Sequence, residues 1–315
     1  MPANSSFTEI AALTYRHFKN TYLEDNVSNH TALHQRLTEK DRVDLISGGW
    51  EIQVPLDYAE NGTYQRYSGY DTLSIAQSEV FTAANFPWKQ VAINVVASGL
   101  EVRQNSGKEG VIKLVKNKLK NAMRTAGNNF STDIYSDGTT ANQINGLQAL
   151  VSDAGTGTVG GIVSGTYTFW KNILQSAAAP LQGGGAITPS STTIESLMLP
   201  LWLALIVMDD TYFTFFDNSQ TSIQRYTNTT DLKTGSTSLK YKGADVVYDS
   251  SASGMPDAHA YFLNTDYIGI CAHRDANWTE VPEKSSVNQD AQVLPIIWQG
   301  NMTVSNRSLQ GVMKA

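Results

Sequence analysis

The sequence predicts an α+β protein, and two hydrophobic periodicities support this fold class. Apolar and polar side chains alternate from Trp50 to Tyr58, which is the period of a half-buried strand. Apolar residues recur at helical spacing between 112 and 130, which is typical of an amphipathic helix. Helical and strand patterns are mixed along the chain without a regular strand–helix–strand repeat, and this indicates α+β.

Length and composition indicate a globular chain that buries a large core. At about 150 residues per domain, the 315 residues allow two cores, or one core with long excursions. Hydrophobic residues make up 41% and charged residues 17%, with a net charge of −6, which excludes a disordered polyelectrolyte. The single cysteine, Cys271, excludes a disulfide framework within the chain.

The chain carries no pattern of a secreted or membrane protein. Its first twenty residues lack the charged start and apolar run of a signal peptide. The longest apolar run, 197–208, contains Pro200 and is shorter than the roughly 18 residues that a spanning helix needs. We therefore expect synthesis in the cytoplasm and no contact with a membrane.

The strand that begins at Trp50 is predicted to form a long two-stranded arm. Pro55 cannot donate a ladder hydrogen bond, so this strand should lie at an edge. Asn61-Gly62 is a strong hairpin-turn signal, and the chain returns through 78–86 and 91–95.

The arm carries large apolar side chains that need a surface to lie on. An isolated two-stranded ribbon is only marginally stable in water, because it has too little apolar surface to cover. Unless the arm folds back on its own chain, it must rest on a neighbouring subunit. We therefore predict contacts between subunits along the arm, at Trp50, Glu51, Asp57, Glu60, Phe81, Phe86 and Trp88.

The arm is acidic, and the segment that follows it is basic. Between Trp50 and Trp88 five acidic residues oppose the single basic residue Arg66, whereas residues 101–134 carry seven positive and three negative charges. Such opposite charges favour contact between two surfaces. Part of the positive charge falls on one face of the predicted helix. This face could be solvated, contact phosphate groups or contact another subunit, and the sequence leaves these three interpretations open. This basic ridge consists of Lys113, Lys116, Lys120 and Arg124.

Further elements are predicted towards the carboxyl terminus. A helix start is expected at 191–195, with Thr192 as its cap. The apolar run 197–208 is expected to be one buried element that ends at a turn formed by Asp209 and Asp210. Three segments have strand patterns, namely 244–248, 260–271 and 292–304.

No motif predicts catalysis, a cofactor or a metal. Residues 155–160 match the pattern G-x-G-x-x-G, but the next acidic residue after Asp153 is Glu195, too distant to bind a ribose. A flexible loop is the preferred interpretation, and a nucleotide-dependent enzyme is the alternative. His30 and His34 are four residues apart without a carboxylate between them, so a metal site is not expected. We predict that the protein is not an enzyme.

The order of these features resembles that of tailed-bacteriophage major capsid proteins with the HK97-type fold. The arm resembles the extended E-loop hairpin, and the helix from Lys108 resembles the spine helix of the P-domain. The segment 144–151 (INGLQALV), followed by Gly160-Gly161-Ile162 and Trp170, is similar to a segment common in this group. No single motif is diagnostic, and the resemblance lies in the order of elements over most of the chain.

The resemblance implies a division of the chain into five parts. Residues 1–49 would form an N-terminal arm, 50–100 the E-loop, and 101–180 the P-domain with its spine helix. Residues 181–280 would form the A-domain, and 281–315 the strand that returns to the P-domain.

The resemblance also implies a function in assembly. The chain would form pentamers and hexamers of an icosahedral shell around packaged double-stranded DNA, in the virion capsid. Only 49 residues precede the arm, so a separate scaffold protein is expected, and portal or decoration proteins are further partners. Residues 51–87 contain no lysine, and Lys89 lies at the base, so we predict no lysine crosslink from the E-loop. A nanocompartment shell of the encapsulin type, enclosing protein cargo, is the alternative, and a tail or sheath subunit is a third possibility.

Overall fold

Helices and strands are described over most of the chain in a computed structural model, which covers residues 32–40, 42–104, 108–201, 204–220, 239–282, 284–285 and 290–315. Residues 1–31 of the predicted N-terminal arm (1–49), with His17 and His30, lie outside these residues. The helices are α1 (Ala32–Glu39), α2 (Gly99–Gln104), α3 (Lys108–Ile134), α4 (Leu147–Leu150), α5 (Ile194–Met198) and α6 (Asp210–Ser219). The strands are β1 (Val43–Ile46), β2 (Glu51–Asp57), β3 (Phe81–Pro87), β4 (Lys89–Ser98), β5 (Thr158–Val159), β6 (Ile162–Val163), β7 (Ile173–Ser176), β8 (Leu205–Met208), β9 (Leu239–Tyr241), β10 (Ala244–Tyr248), β11 (His259–Leu263), β12 (Ile268–His273), β13 (Thr279–Glu280), β14 (Lys284–Ser285), β15 (Ala291–Val304) and β16 (Gly311–Lys314).

The first sheet is organised around the long strand β15. Strand β4 pairs antiparallel with β15 over its whole length, from Lys89 opposite Gly300 to Ser98 opposite Ala291. On the other side of β15 lie β12, β13 and β14, and β1 extends the sheet by pairing parallel with β12. The predicted strand at 292–304 is confirmed as the centre of this sheet.

Helix α3 packs against the first sheet through the apolar stripe that the sequence predicts. Leu119, Met123 and Phe130 are buried, and the ring of Phe130 contacts that of Trp298 edge-on at 5.0 Å between centroids. Burial of such side chains contributes about 1.5–3 kcal/mol each. Because the stripe recurs every three or four residues, the opposite side of the helix faces solvent. The side chains of Ile112 and Val115 lie outside the described residues.

The second sheet has the order β7-β16-β11-β8-β10-β9 and contains parallel and antiparallel pairs. Helices α5 and α6 contribute to its own apolar core, which includes Leu197 and Phe216. Asp209 caps α6, because its carboxylate accepts hydrogen bonds from the backbone N–H groups of Thr211 and Tyr212. The predicted turn at this acidic pair is instead the start of a helix, with Asp209 as its N-cap and Asp210 as its first residue.

Three further details differ from the sequence predictions. The N-cap of α5 is Thr193 and not Thr192. The apolar run 197–208 is not one element, because a 3-10 turn at Leu199–Leu201 separates α5 from β8. Strand pairing also crosses the predicted domain boundaries, since β12 lies in the first sheet and β16 in the second.

A buried arginine connects the carboxyl-terminal loop to the segment 144–151. The Nε of Arg307 donates to the carbonyl of Leu150 at 2.7 Å, and Nη1 donates to that of Trp170 at 3.1 Å. Burial lowers the pKa of Arg307 to about 10. Gly146 lies in the same segment, and a Cβ there would stand 2.3 Å from the backbone nitrogen of Ser136, so only glycine fits.

Candidate subunit-contact surface

Strands β2 and β3 form a separate two-stranded ribbon, in agreement with the predicted arm. Their register runs from Glu51 opposite Pro87 to Asp57 opposite Phe81, and neither strand pairs with a larger sheet in the described residues. The turn at Asn61 is present but does not join the paired strands, because residues 58–80 separate them. The segment 91–95 belongs to β4 and the first sheet, and not to the arm.

The base of the ribbon packs against its own chain. The side chains of Ile52, Ala84 and Phe86 belong to the main apolar core, and the backbone N–H of Asn85 donates to the carbonyl of Gly160 at 2.9 Å. Phe86 is 0% exposed. The prediction that Phe86 contacts a neighbouring subunit is therefore wrong, because its ring is already enclosed.

Trp88 also contacts its own chain. Its indole Nε1 donates to the carbonyl of Gly49 at 3.0 Å, and its ring meets the ring of His273 at 5.7 Å between centroids. Trp88 and Glu51 are half-buried, so part of each surface is left for a partner.

The outer part of the arm is exposed. Phe81 is 75% exposed, and both Asp57 and Glu60 face solvent. At the base of the ribbon, Trp50 is also exposed, at 93%. Exposed apolar patches of this kind mark sites of protein contact more often than scattered single residues do. Between the strands, the exposed large apolar side chains are those of Tyr64, Tyr67, Tyr70, Leu73 and Ile75.

An aromatic cleft lies between the arm and the segment 160–169. Tyr58 stacks on Phe169, with 5.3 Å between ring centroids and 25° between the planes, and Tyr167 meets Phe169 at 6.1 Å. The cleft has a volume of about 410 Å³, and Glu79 and Phe81 also line it. No local pattern in the sequence predicts this cleft, because its two walls come from the distant segments 58–85 and 160–169.

The structure describes two of the four side chains of the predicted basic ridge. Lys120 and Arg124 are exposed, one helical turn apart on α3. The side chains of Lys113 and Lys116 lie outside the described residues.

A third cation of α3, Lys118, points elsewhere. Its ammonium donates to Glu101 at 2.6 Å and to the carbonyl of Val96 at 2.8 Å. The hydrogen bond from Lys118 lowers the pKa of Glu101 below its usual value.

Within the described residues, titratable side chains outside the arm also form buried or half-buried pairs. Tyr135 donates to the carboxylate of Asp249 at 2.6 Å, and burial raises the pKa of Asp249 to about 6. His259 contacts Asp153 at 2.9 Å, and this partner lowers the pKa of Asp153. No pattern in the sequence pairs these residues, since each pair is more than 100 positions apart.

The glycine-rich stretch does not form a nucleotide site of the predicted alternative kind. Gly160 and Gly161 form a tight turn between β5 and β6, with φ of +59° and +77°. The helix that a dinucleotide site needs after its glycines is replaced by the strand β6.

Neither a metal cluster nor a membrane span is found in the part of the chain that is described. No group of three or more metal-ligating side chains occurs there, and none of its helices is long and apolar enough to cross a bilayer.

Comparisons with known proteins place this geometry in a group of capsid folds. No protein-family model matches the sequence, and no curated protein matches it. The cyanophage A-1(L) capsid asymmetric unit matches with a TM-score of 0.58 and 16% identity, over 100% of this chain and 94% of that chain. The capsid of an empty GTA particle matches with a TM-score of 0.54 and 14% identity, over 88% of this chain and 89% of that chain.

An encapsulin has a similar fold. The holo-SrpI encapsulin complex from Synechococcus elongatus matches with a TM-score of 0.52 and 8% identity, over 88% of this chain and 86% of that chain. The chain therefore has the α+β capsid fold of these proteins, which confirms the HK97-type fold that the sequence resemblance implied.

Proposed function

We propose that this protein is a major capsid protein that assembles into an icosahedral shell around packaged phage DNA. The observation that supports this proposal most directly is the exposed apolar surface of the arm, on a fold that phage capsid proteins share. A ribbon whose base is anchored and whose outer part is apolar and exposed is suited to contact another copy. Its place is the virion capsid, after synthesis in the host cytoplasm.

In this proposal the ribbon β2/β3 with residues 58–80 is the E-loop, and α3 is the spine helix of the P-domain. The second sheet forms most of the A-domain, and A-domains meet at the symmetry axes of pentamers and hexamers. Each contact is repeated many times in a closed shell, so modest pairwise free energies are sufficient. Scaffold, portal and decoration proteins would be separate chains.

Shortening the arm tests the proposal. Replacement of residues 60–78 by Asn-Gly joins the two strands by a short turn and removes no buried residue. We expect the wild-type chain to form closed shells in negative-stain micrographs, alone or with a scaffold protein, and the shortened chain to remain dispersed with an unchanged circular dichroism spectrum. Shells of the shortened chain would contradict the proposed role of the arm, and tubes of the wild-type chain would indicate a tail or sheath subunit.

The basic ridge is proposed to face either the packaged DNA or a neighbouring subunit. Substitution of Lys113, Lys116, Lys120 and Arg124 by Gln separates these roles. Intact shells that lose DNA would support the first role, because phosphate contacts depend on cationic side chains. Failure to assemble would support the second role.

An encapsulin-like nanocompartment is the second candidate, because the encapsulin complex has a similar fold. Purified particles would then contain a protein cargo and no nucleic acid. Absorbance ratios and mass spectrometry of purified particles distinguish the two functions.

A further inference from the structure

The aromatic cleft at the base of the arm has the chemistry of a site for a cationic side chain. Four aromatic residues line it, Tyr58, Phe81, Tyr167 and Phe169, and the acidic residue Glu79 lines it as well. Aromatic faces attract cations within about 6 Å of the ring centroid. A neighbouring carboxylate adds a charged hydrogen-bond acceptor for the same group.

The cleft is formed by two parts of the chain that hold each other in place. Tyr58 extends β2 and stacks on Phe169, which precedes the buried Trp170. The indole of Trp170 donates to the carbonyl of Val159 at 2.9 Å, and this fixes the strand that leads to Gly160. The site is therefore present before any partner arrives, which lowers the entropic cost of binding.

The charge of the arm selects a cation from a second copy of this chain. The arm carries five acidic residues and one basic residue between Trp50 and Trp88. Lys120 and Arg124 lie exposed on α3, and within the described residues neither forms an ion pair and neither lines the cleft. A contact between this helix face and the cleft therefore requires two copies.

We propose that the cleft of one copy receives the guanidinium of Arg124 from α3 of a second copy, with Lys120 beside it. An arginine suits the cleft better than a lysine, because its planar guanidinium stacks on aromatic rings while it donates to a carboxylate. This inference rests on the proposed function, since it names the partner of the arm within a shell.

Reversal of one charge tests the site. Glu79→Lys places a like charge opposite Arg124, and we expect it to lower the yield of shells, measured by light scattering and electron microscopy, by about tenfold or more. Asp71→Lys is the matched control, because Asp71 is exposed on the same arm, lies outside the cleft and is not one of the predicted subunit contacts. An equal loss in both variants would overturn the inference, since only the total charge of the arm would then matter.

Exchange of the two charges gives the sharper test. Arg124→Glu should impair assembly like Glu79→Lys, and the double variant Glu79→Arg with Arg124→Glu should restore most of the yield. A double variant that assembles no better than the single variants would overturn the inference.

The aromatic wall is tested separately with Tyr167→Leu, which keeps apolar surface but removes the ring. We expect about threefold to tenfold weaker assembly, in proportion to a cation–π contact. An unchanged yield would exclude the aromatic part of the site.

Failure of this site and failure of the proposed function give different results. If wild-type chains form shells and Glu79→Lys chains form them equally well, only the site is wrong. If wild-type chains form no shells with or without a scaffold protein, the proposed function and this inference are both wrong.

Discussion

The base and the outer part of the arm belong to one ribbon, but they differ in what covers them. At the base, Ala84 and Phe86 are enclosed by the chain itself, whereas Phe81, at the outer end of β3, is open to solvent. Phe81 and Phe86 are five positions apart and therefore lie on opposite faces of β3, and only Phe81 is available to a partner. The stability of the chain and its assembly therefore depend on different positions of the same ribbon.

The test with the largest expected effect replaces each of the two phenylalanines by alanine. Phe86→Ala should lower the free energy of unfolding by about 3–5 kcal/mol, because it leaves a cavity in the core. Phe81→Ala should change it by less than about 0.5 kcal/mol, since the ring is exposed. Urea denaturation of the dispersed chain measures both values, and similar losses would refute the division of roles.

Phe81→Ala should instead reduce the yield of shells. The same assembly assay is applied to Phe86→Ala only at temperatures where that variant stays folded. Light scattering during assembly measures this effect. A Phe81→Ala chain that assembles like the wild type would remove Phe81 from the contact surface.

A second test concerns a buried carboxyl group outside the arm and the pH dependence of the free energy of unfolding. Burial raises the pKa of Asp249 from 3.8 to about 6, so the folded chain binds this proton more tightly than the unfolded chain does. The corresponding stability is present below pH 4 and is lost as the pH rises through about 6. The loss amounts to about 3 kcal/mol, at about 1.4 kcal/mol for each unit of pKa.

Asp249→Asn keeps an acceptor for the hydroxyl of Tyr135 and removes the titration. The difference in unfolding free energy between wild type and variant should therefore change by about 3 kcal/mol between pH 4 and pH 7. Taking this difference also removes the opposite contribution of His34, whose pKa is lowered to about 4 by burial. A difference that is constant with pH would show that Asp249 does not titrate in this range.

The smallest test concerns the contact between the arm and the turn at 160–161. A Cβ at Gly160 would stand 2.8 Å from the Cβ of Ala84, whereas a Cβ at Gly161 would meet nothing within 4 Å. Both glycines have positive φ, so each change to Ala costs about 1–2 kcal/mol of backbone strain. Gly160→Ala should cost about 1–3 kcal/mol more, because it overpacks the arm base. Equal melting temperatures for the two variants would show that Gly160 does not pack closely against the base of the arm.

Local periodicity was sufficient to predict several elements from the sequence. The alternation at 50–58 predicted β2, and the apolar stripe up to Phe130 predicted α3 and its buried face. The long strand at 292–304 was also predicted with bounds close to those observed. In each case the pattern of burial along one element is encoded within that element.

Contacts between distant segments could not be predicted from local periodicity. Phe86 and Phe81 are five positions apart, so the alternation places them on opposite faces of β3, but only the contact with the turn at Gly160 shows which face is enclosed. The pairing of β16 with β7 and β11 crosses the predicted domain boundaries for the same reason. The cleft combines residues near 58, 79 and 167, and it exists only once these segments have met.

The buried cysteine gives the chain a practical property. Cys271 is 4% exposed, it lies 3.4 Å from the hydroxyl of Thr303, and burial raises the pKa of its thiol. Thiol-directed reagents react with the thiolate form, so they should leave the native residue unmodified. A fluorophore attached to a new cysteine at the end of the arm would then report on that position alone, and energy transfer between such dyes would measure how far apart the arms stand in a particle.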